Sequence, residues 1–265
     1  MNKFLTTLII CCAVNVQAAT KQNRNIKPAP RPHSVMLVNQ STKQIMVSEN
    51  VDDVRPMASI TKLMTAMVVL DQHPDMDSDI VTARDKKGRV ISRSTVRELL
   101  TRLLVRSDNA ASETLSRNFL GSREAFLTEM NLKAARIGMS NTSFMDPSGL
   151  DPRNTTTARE IIIMVTAAGT YPEIRRAASL REVQVEILVG RRVRTINLLN
   201  TNHRILFEFE NIVVSKTGST SAAGKCVALL VERQGQQFAI VILGEQTPVA
   251  RDQSTRDLLY NHLLE

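Results

Sequence analysis

Apolar and polar positions change their spacing several times along the chain. Ser34-Val35-Met36-Leu37-Val38 and Gln44-Ile45-Met46-Val47 are short apolar runs separated by a polar turn, which predicts a β-hairpin. Over residues 57–71 apolar side chains fall on every side of a helical wheel, which predicts a helix buried all round. Helical spacing continues over 94–105, 109–120 and 122–137, with Gly121 and Gly138 placed as C-terminal stops. Thr157 and Glu160 form a Thr-x-x-Glu box that opens another helix, ending near Gly169. From about residue 183 the period shortens. Residues 183–189 and 192–199 predict a hairpin around Gly190, and strands follow at 212–215, 226–231 and 238–243. Residues 251–264 return to helical spacing.

Strands at both ends with helices between them predict an α/β fold of the α+β kind. The simplest packing is one antiparallel sheet built from both ends of the chain and flanked by helices. A helical subdomain is inserted over about 72–175. A cleft between the two parts is the expected place for a site.

Composition narrows the function classes. The 265 residues carry 34 Lys and Arg against 26 Asp and Glu, a net charge of +8, which suits an anionic partner without choosing one. Aromatic residues are 3% and Trp is absent, which argues against base stacking and so against nucleic acid. Lys3, the apolar run from Phe4 to Val16 and the small residues of Val16-Gln17-Ala18 read as a secretory signal peptide over 1–18. That run is too short to span a bilayer, and no transmembrane anchor is expected elsewhere. Residues 19–33, rich in Lys, Pro, Asn and Gln, read as a flexible lead to a domain over 34–265. Cleavage leaves Cys226 as the remaining cysteine, inside an apolar run where a buried, inert thiol is expected. His33, His73, His203 and His262 show no zinc spacing, so neither a metal nor another cofactor is expected.

Three short motifs follow one another: Ser59-Ile60-Thr61-Lys62, Ser107-Asp108-Asn109 and Lys216-Thr217-Gly218. Ser-x-x-Lys arises by chance about once in a chain this long, whereas each of the other two is expected roughly 0.05 times. Ser59 at the start of the buried helix and Lys62 one turn later share a face. A neutral Lys62 could take the proton of Ser59, and burial with a second cation nearby, Lys216, would lower its pKa. Ser107 could pass a proton to a leaving amine, and Asn109 could hold an amide and position Lys62. Gly218 would let a substrate backbone lie along the strand of Lys216 and Thr217. The backbone N–H groups of Ser59 and Ser219 would form an oxyanion hole. Taken singly, the same residues could be a helix cap, a loop and a strand end.

This ordered set marks serine β-lactamases and penicillin-binding proteins. The chain resembles the low-molecular-mass penicillin-binding proteins, the serine D-Ala-D-Ala peptidases, over roughly residues 34–260. Arg55 to Ala66, Phe144 to Leu150, Thr156 to Glu160 and Asn200-Thr201-Asn202-His203 carry the likeness beyond the triplets. It is closest to the family's D-alanyl-D-alanine endopeptidases, which share the run Lys62 to Leu70 and Ala222-Ala223-Gly224 followed by Cys226. The resemblance implies a β-lactamase-like transpeptidase fold and acylation of Ser59 by a peptide ending in D-Ala. It also implies peptidoglycan stem peptides and cross-links as substrates, β-lactams as inhibitors, and a periplasmic location. A carboxypeptidase removing the terminal D-Ala is the alternative. Arg251 falls where carboxypeptidase relatives keep an Arg that reads the terminal carboxylate. The stretch from Lys86 to Thr95 looks shorter than in the endopeptidases and bears on the rim of the cleft.

Two rivals follow from the same residues. A class A β-lactamase would need a Glu-x-x-Leu-Asn loop, and the region instead reads Asp146-Pro147-Ser148-Gly149-Leu150-Asp151. A non-catalytic wall binder would have no need of both Lys62 and Lys216.

Overall fold

The computed structural model describes residues 33–190 and 192–263. The signal peptide expected over 1–18, and all but His33 of the lead expected over 19–33, lie outside the described residues.

The first hairpin forms as expected. Strand β1 (Ser34–Asn39) pairs with β2 (Ile45–Glu49), and a two-residue strand β3 (Arg55–Pro56) leads into the buried helical segment. That segment begins as a 3-10 turn, Ala58–Thr61, and continues as α1 (Lys62–Leu70), in which every residue is buried. Strands β4 (Asp79–Arg84) and β5 (Val90–Thr95) follow. Then come α2 (Val96–Thr101), a π turn at Arg102–Arg106, α3 (Asn109–Asn118) and α4 (Arg123–Arg136). A short β6 (Thr155–Thr156) pairs with β3, and α5 (Ala158–Ala168) and α6 (Pro172–Ala178) close the helical part. The remainder is β7 (Glu182–Val189), β8 (Arg192–Leu199), α7 (His203–Glu208), β9 (Ile212–Thr220), β10 (Gly224–Arg233), β11 (Gln236–Glu245) and α8 (Pro248–Leu263).

The main sheet is antiparallel with the order β2-β1-β11-β10-β9, built from both ends of the chain. Its central strands read as unbroken apolar runs because both faces are covered. One face packs Met36, Val38, Ala228, Leu230 and Val241 into the core that holds α1 and α5. The other packs Leu37, Val227, Leu229, Ile240 and Ile242 with Leu258 and Leu259 of α8. Strand β9 ends the order, so its outer edge is free of ladder partners from this sheet.

Several expectations are corrected. The stretch 72–175 is not wholly helical, since it contains β4 and β5. Their apolar content is low, and each is only half-buried, so the alternating signal is weak. The hairpin at 183–199 does not join the main sheet; it pairs with β5 in a second sheet ordered β4-β5-β7-β8. Helices α6 and α7, of 7 and 6 residues, are too short for a periodic signal and were not expected. Lys216-Thr217-Gly218 lies well inside a nine-residue strand rather than at its end. The Thr157 hydroxyl does accept the Glu160 N–H, but the Glu160 carboxylate turns instead to Asn141 and Thr142. The reciprocal capping box occurs at Thr95 and Glu98. Cys226 is buried, and burial pushes its thiol up to about 11.

Candidate active site

The 3-10 turn before α1 sets out the first group. Ala58 takes a left-handed conformation, with φ of 48°, and the turn leaves Ser59 half-buried between buried neighbours. Lys62 is completely buried, and its Nζ donates to Ser59 Oγ (2.9 Å), Asn109 Oδ1 (2.7 Å) and the Ser148 carbonyl (2.6 Å). Those three acceptors match the three donors of a lysine ammonium.

The second group comes from the π turn and the start of α3. Ser107 also adopts a left-handed conformation, with φ of 61°. Such strain costs about 1–3 kcal/mol and persists only where the surroundings over-determine it. Here the clamp is Asp108. Its Oδ1 accepts the N–H groups of Ala110 and Ala111, capping α3, and its Oδ2 accepts Nε and Nη2 of Arg102 at 2.9 and 2.6 Å. Ser107 and Asn109, on either side of that anchor, are thereby aimed at the two lysines.

The third group lies on β9. Lys216 is buried, and its Nζ donates to Ser107 Oγ and to the Thr217 carbonyl, both at 2.9 Å. Thr217 Oγ1 donates to Thr201 Oγ1 at 2.7 Å. Ser219 is exposed, and Lys225 across the ladder donates to its hydroxyl. Gly218 has a nearer reason to be glycine than room for a substrate. A Cβ there would stand 2.8 Å from the Met57 carbonyl oxygen and 3.2 Å from the Ser59 nitrogen, so only a glycine lets β9 close on the serine turn.

Both lysines are pushed toward their neutral forms, chiefly by burial. Burial lowers Lys62 to about 8, opposed by the charges of Asp146 and Asp108. Lys216 is pushed down further, by burial first and then by the positive charges of Lys62 and Arg251. Burial is the leading cause for both, and the repulsion between the two ammonium groups is mutual; the carboxylates of Asp146 and Asp108 offset the lowering at Lys62.

Arg251 sits in the first turn of α8, close enough to Lys216 for its charge to act on that lysine. Its buried guanidinium donates through Nε and Nη2 to Asp252 Oδ1, at 3.0 and 2.5 Å. Two of its nitrogens, Nε and Nη2, are engaged there. Thr201, Arg204, Arg251 and Asp252 line a polar hollow of about 210 Å³ beside Thr217.

Two hydrogen-bonded groups thus stand side by side, Lys62 with Ser59 and Asn109, and Lys216 with Ser107, while Thr217 and Gly218 continue the strand that carries Lys216. Sequence reasoning passed over the loop from Phe144 to Asp151 as a source of site groups. The buried Asp146 carboxylate gathers the N–H groups of Ser148, Gly149 and Asp151, which turns the Ser148 carbonyl onto Lys62. Gly149, with φ of 83°, is so close to the serine turn that a Cβ would lie 1.9 Å from the Ala58 oxygen. A backbone carbonyl has no residue type, so only the Asp-Pro-Ser-Gly turn signal was available to find it. Thr201 was likewise missed, because only the pairing of its hydroxyl with Thr217 marks it. Among the described residues no group of His, Cys, Asp and Glu could hold a metal ion, and no helix is long and apolar enough to cross a membrane.

The cluster has the order of groups that acyl transfer requires: a half-exposed hydroxyl, a buried amine in contact with it, and a second hydroxyl and amine on the far side. Comparison with known proteins agrees. The chain is similar to a D-alanyl-D-alanine endopeptidase of Escherichia coli K12, 35% identical over 79% of this chain and 70% of that one. A D-alanyl-D-alanine endopeptidase of Pseudomonas aeruginosa is 32% identical over 89% of this chain and 79% of its own length. Among solved structures, penicillin-binding protein D2 of Listeria monocytogenes in its cefotaxime-bound form superposes with a TM-score of 0.74 at 27% identity, covering 86% of this chain and 95% of that one. The fold is that of the penicillin-binding proteins. With the D-alanyl-D-alanine carboxypeptidase family model matching residues 19–247, the chain belongs to that family of serine D-Ala-D-Ala peptidases and is a hydrolase.

Proposed function

We propose that this chain is an exported peptidoglycan endopeptidase that cuts D-Ala-containing cross-links through an acyl-enzyme on Ser59. The observation that carries the reading is the 2.9 Å contact between Lys62 Nζ and Ser59 Oγ, inside a cluster that also holds Ser107 and Lys216. Neutral Lys62 takes the Ser59 proton as Oγ attacks the D-Ala carbonyl. The proton reaches the leaving amine through Ser107, held by Lys216, and the C–N bond breaks. Water then cleaves the ester and restores Ser59. The N–H groups of Ser59 and Ser219 take the developing oxyanion. The stem peptide lies along the free edge of β9 beside Thr217 and Gly218, with Asn109 holding a side-chain or backbone amide. The signal peptide over 1–18 delivers the chain to the periplasm, and β-lactams acylate the same serine.

Similarity to named endopeptidases supports cleavage of cross-links rather than of a terminal residue. Carboxypeptidase activity is the alternative, and it rests on Arg251 falling where carboxypeptidase relatives keep an Arg near the last helix. The engagement of Arg251 with Asp252 weighs against that residue as a direct reader of a carboxylate. The test is a digest of purified cross-linked dimers mixed with pentapeptide monomers, read by mass, beside Ser59→Ala. Dimers falling to monomers establish the endopeptidase; loss of one terminal D-Ala from pentapeptides establishes the carboxypeptidase. No change in either refutes the peptidase reading.

A further inference from the structure

The cations of this molecule are not evenly treated. Over most of the surface an arginine meets a carboxylate: Arg97 with Asp77, Arg123 with Glu113, Arg159 with Asp52, Arg175 with Glu232, Arg256 with Glu208. The tip of the second sheet is different. Arg93 on β5 pairs in register with Leu188 on β7, and Ile187 and Val189 of β7 face Arg194 and Arg192 of β8. The Gly190 N–H donates to the Ile91 carbonyl at 2.8 Å. The β4–β5 turn therefore stands at the same end of the sheet as the end of β7 and the start of β8, so the basic residues of both hairpins lie at one end; Arg192 and Arg194 share one face, and Arg93, in register with Leu188 and through it Val193, lies on the other.

Arg84, Lys86, Lys87, Arg192 and Arg194 are exposed there, and Arg93 is half-buried. Among the described residues, Lys86, Lys87, Arg93, Arg192 and Arg194 form neither an ion pair nor a side-chain hydrogen bond, and Arg84 meets only the Gly88 carbonyl. Residues 84–94 and 189–194 contain one carboxylate, Asp85, and Arg89 already occupies it. Of the acidic residues of β7, Glu182 stands at the other end of the hairpin, and Glu186, opposite Thr195 in mid-strand, lies on the face of Leu188 and Val193, away from Arg192 and Arg194. Like charges held together without counter-charges repel one another, so this arrangement gains nothing for the fold and creates a concentrated positive field.

We propose that this tip is a docking face for the carboxylates of polymeric peptidoglycan, outside the catalytic cleft. The inference rests on the peptidase reading for its choice of polymer. Charge complementarity selects an anionic chain, and the stem peptides of the substrate carry free carboxylates at repeated spacing. Strand β8 runs eight residues from Arg192 to Leu199, just before Thr201 at the cluster. At about 3.3 Å per residue the tip stands roughly 23 Å from that end. A stem peptide cut at Ser59 does not itself need to touch the tip, but a neighbouring stem on the same polymer can. The face holds the enzyme on the wall between cuts and plays no part in the bond-breaking step.

The experiment is co-sedimentation of the full chain with insoluble sacculi, using Ser59→Ala so that the wall is not digested. It compares that protein with the same protein carrying Lys86→Gln, Lys87→Gln, Arg192→Gln and Arg194→Gln. The expected result is a loss of affinity of about tenfold or more in the quadruple variant. Binding of the unsubstituted tip should weaken as salt rises from about 0.01 M to about 0.15 M, where the Debye length falls from about 30 to about 8 Å. In the Ser59 background the quadruple variant should cleave soluble dimers and take up labelled penicillin at the parent rate, while solubilising sacculi more slowly. Equal pelleting of both proteins overturns the proposal. So does pelleting with phosphatidylglycerol vesicles but not with sacculi, which would make a membrane the partner. A parent that pellets with sacculi in a tip-dependent way, yet neither cuts dimers nor reacts with penicillin, leaves the docking face standing and removes the peptidase reading.

Discussion

The two sheets use the same basic residue types to opposite ends. On β9 a lysine is enclosed: Lys216 is buried, hydrogen-bonded to Ser107, and driven toward its neutral form. On the second sheet Arg192 and Arg194 stand in water with no counter-charge among the described residues. The difference is one of dielectric. A buried amine loses hydration, so its proton becomes available for chemistry; an exposed guanidinium keeps both its hydration and its charge, and can act only through its field. Burial turns a cation into a reagent, and exposure leaves it a charge.

The sharpest break of that contrast is Lys62→Met, which keeps the volume and removes the amine. Acylation by labelled penicillin should fall by about 10²–10⁴-fold, the usual worth of a positioned general base, with the melting temperature unchanged or raised. A parent rate in this variant would remove Lys62 from the proton path. Next in size is packing. Leu229→Ala in β10 opens a void in a sheet covered on both faces and should cost about 2–5 kcal/mol in denaturant unfolding. Val193→Ala, 62% exposed on the second sheet, should stay within about 0.5 kcal/mol.

The pH dependence follows from the lowered titration of Lys62. Its free-base fraction grows as pH rises toward about 8 and saturates above it. The acylation rate should therefore rise about tenfold between pH 6 and 7 and level off above 8, as measured by stopped-flow penicillin uptake. Stability carries the same sign. In the folded chain Lys62 has released its proton by about pH 8, whereas the unfolded side chain holds it to 10.5. Across that window the unfolded state binds more protons, so the folded state gains stability as pH rises. Thermal unfolding of the parent against Lys62→Met should show a parent deficit that narrows between pH 8 and 10.5. The smallest effect belongs to the tip: Arg194→Gln alone should leave unfolding within about 0.5 kcal/mol of the parent and show only in salt-dependent wall binding.

Much of the fold was legible in the chain. The first hairpin, the helix buried on every side and the three long apolar strands carry strong periodic signals, because each buries whole faces. The second sheet was harder to read. Its strands are half-exposed, their apolar content is thin, and nothing local says which strands pair; a short ladder, Ser92 with Val189 and Arg93 with Leu188, joins the hairpin to β5. The short helices α6 and α7 fall below the length at which a period can be recognised.

The site divides in the same way. The amino-acid sequence alone determined which reagents are present: a serine, two lysines, a second serine and an amide, in three motifs whose joint order is hard to meet by accident. It also raised the expectation of an export signal at the N-terminus and set the positive charge of the whole. Tertiary structure decided everything that depends on distance across the chain. It placed the Ser148 carbonyl on Lys62, 86 positions away, and Lys216 on Ser107, 109 positions away. It turned Arg251 onto Asp252, set the carboxylates of Asp146 and Asp108 near Lys62, and brought the unpaired cations of two hairpins to one end of the second sheet. The reason is physical. Residue type sets what a group can do, but solvation and the nearest charges set whether it does so, and these exist only once the chain has folded.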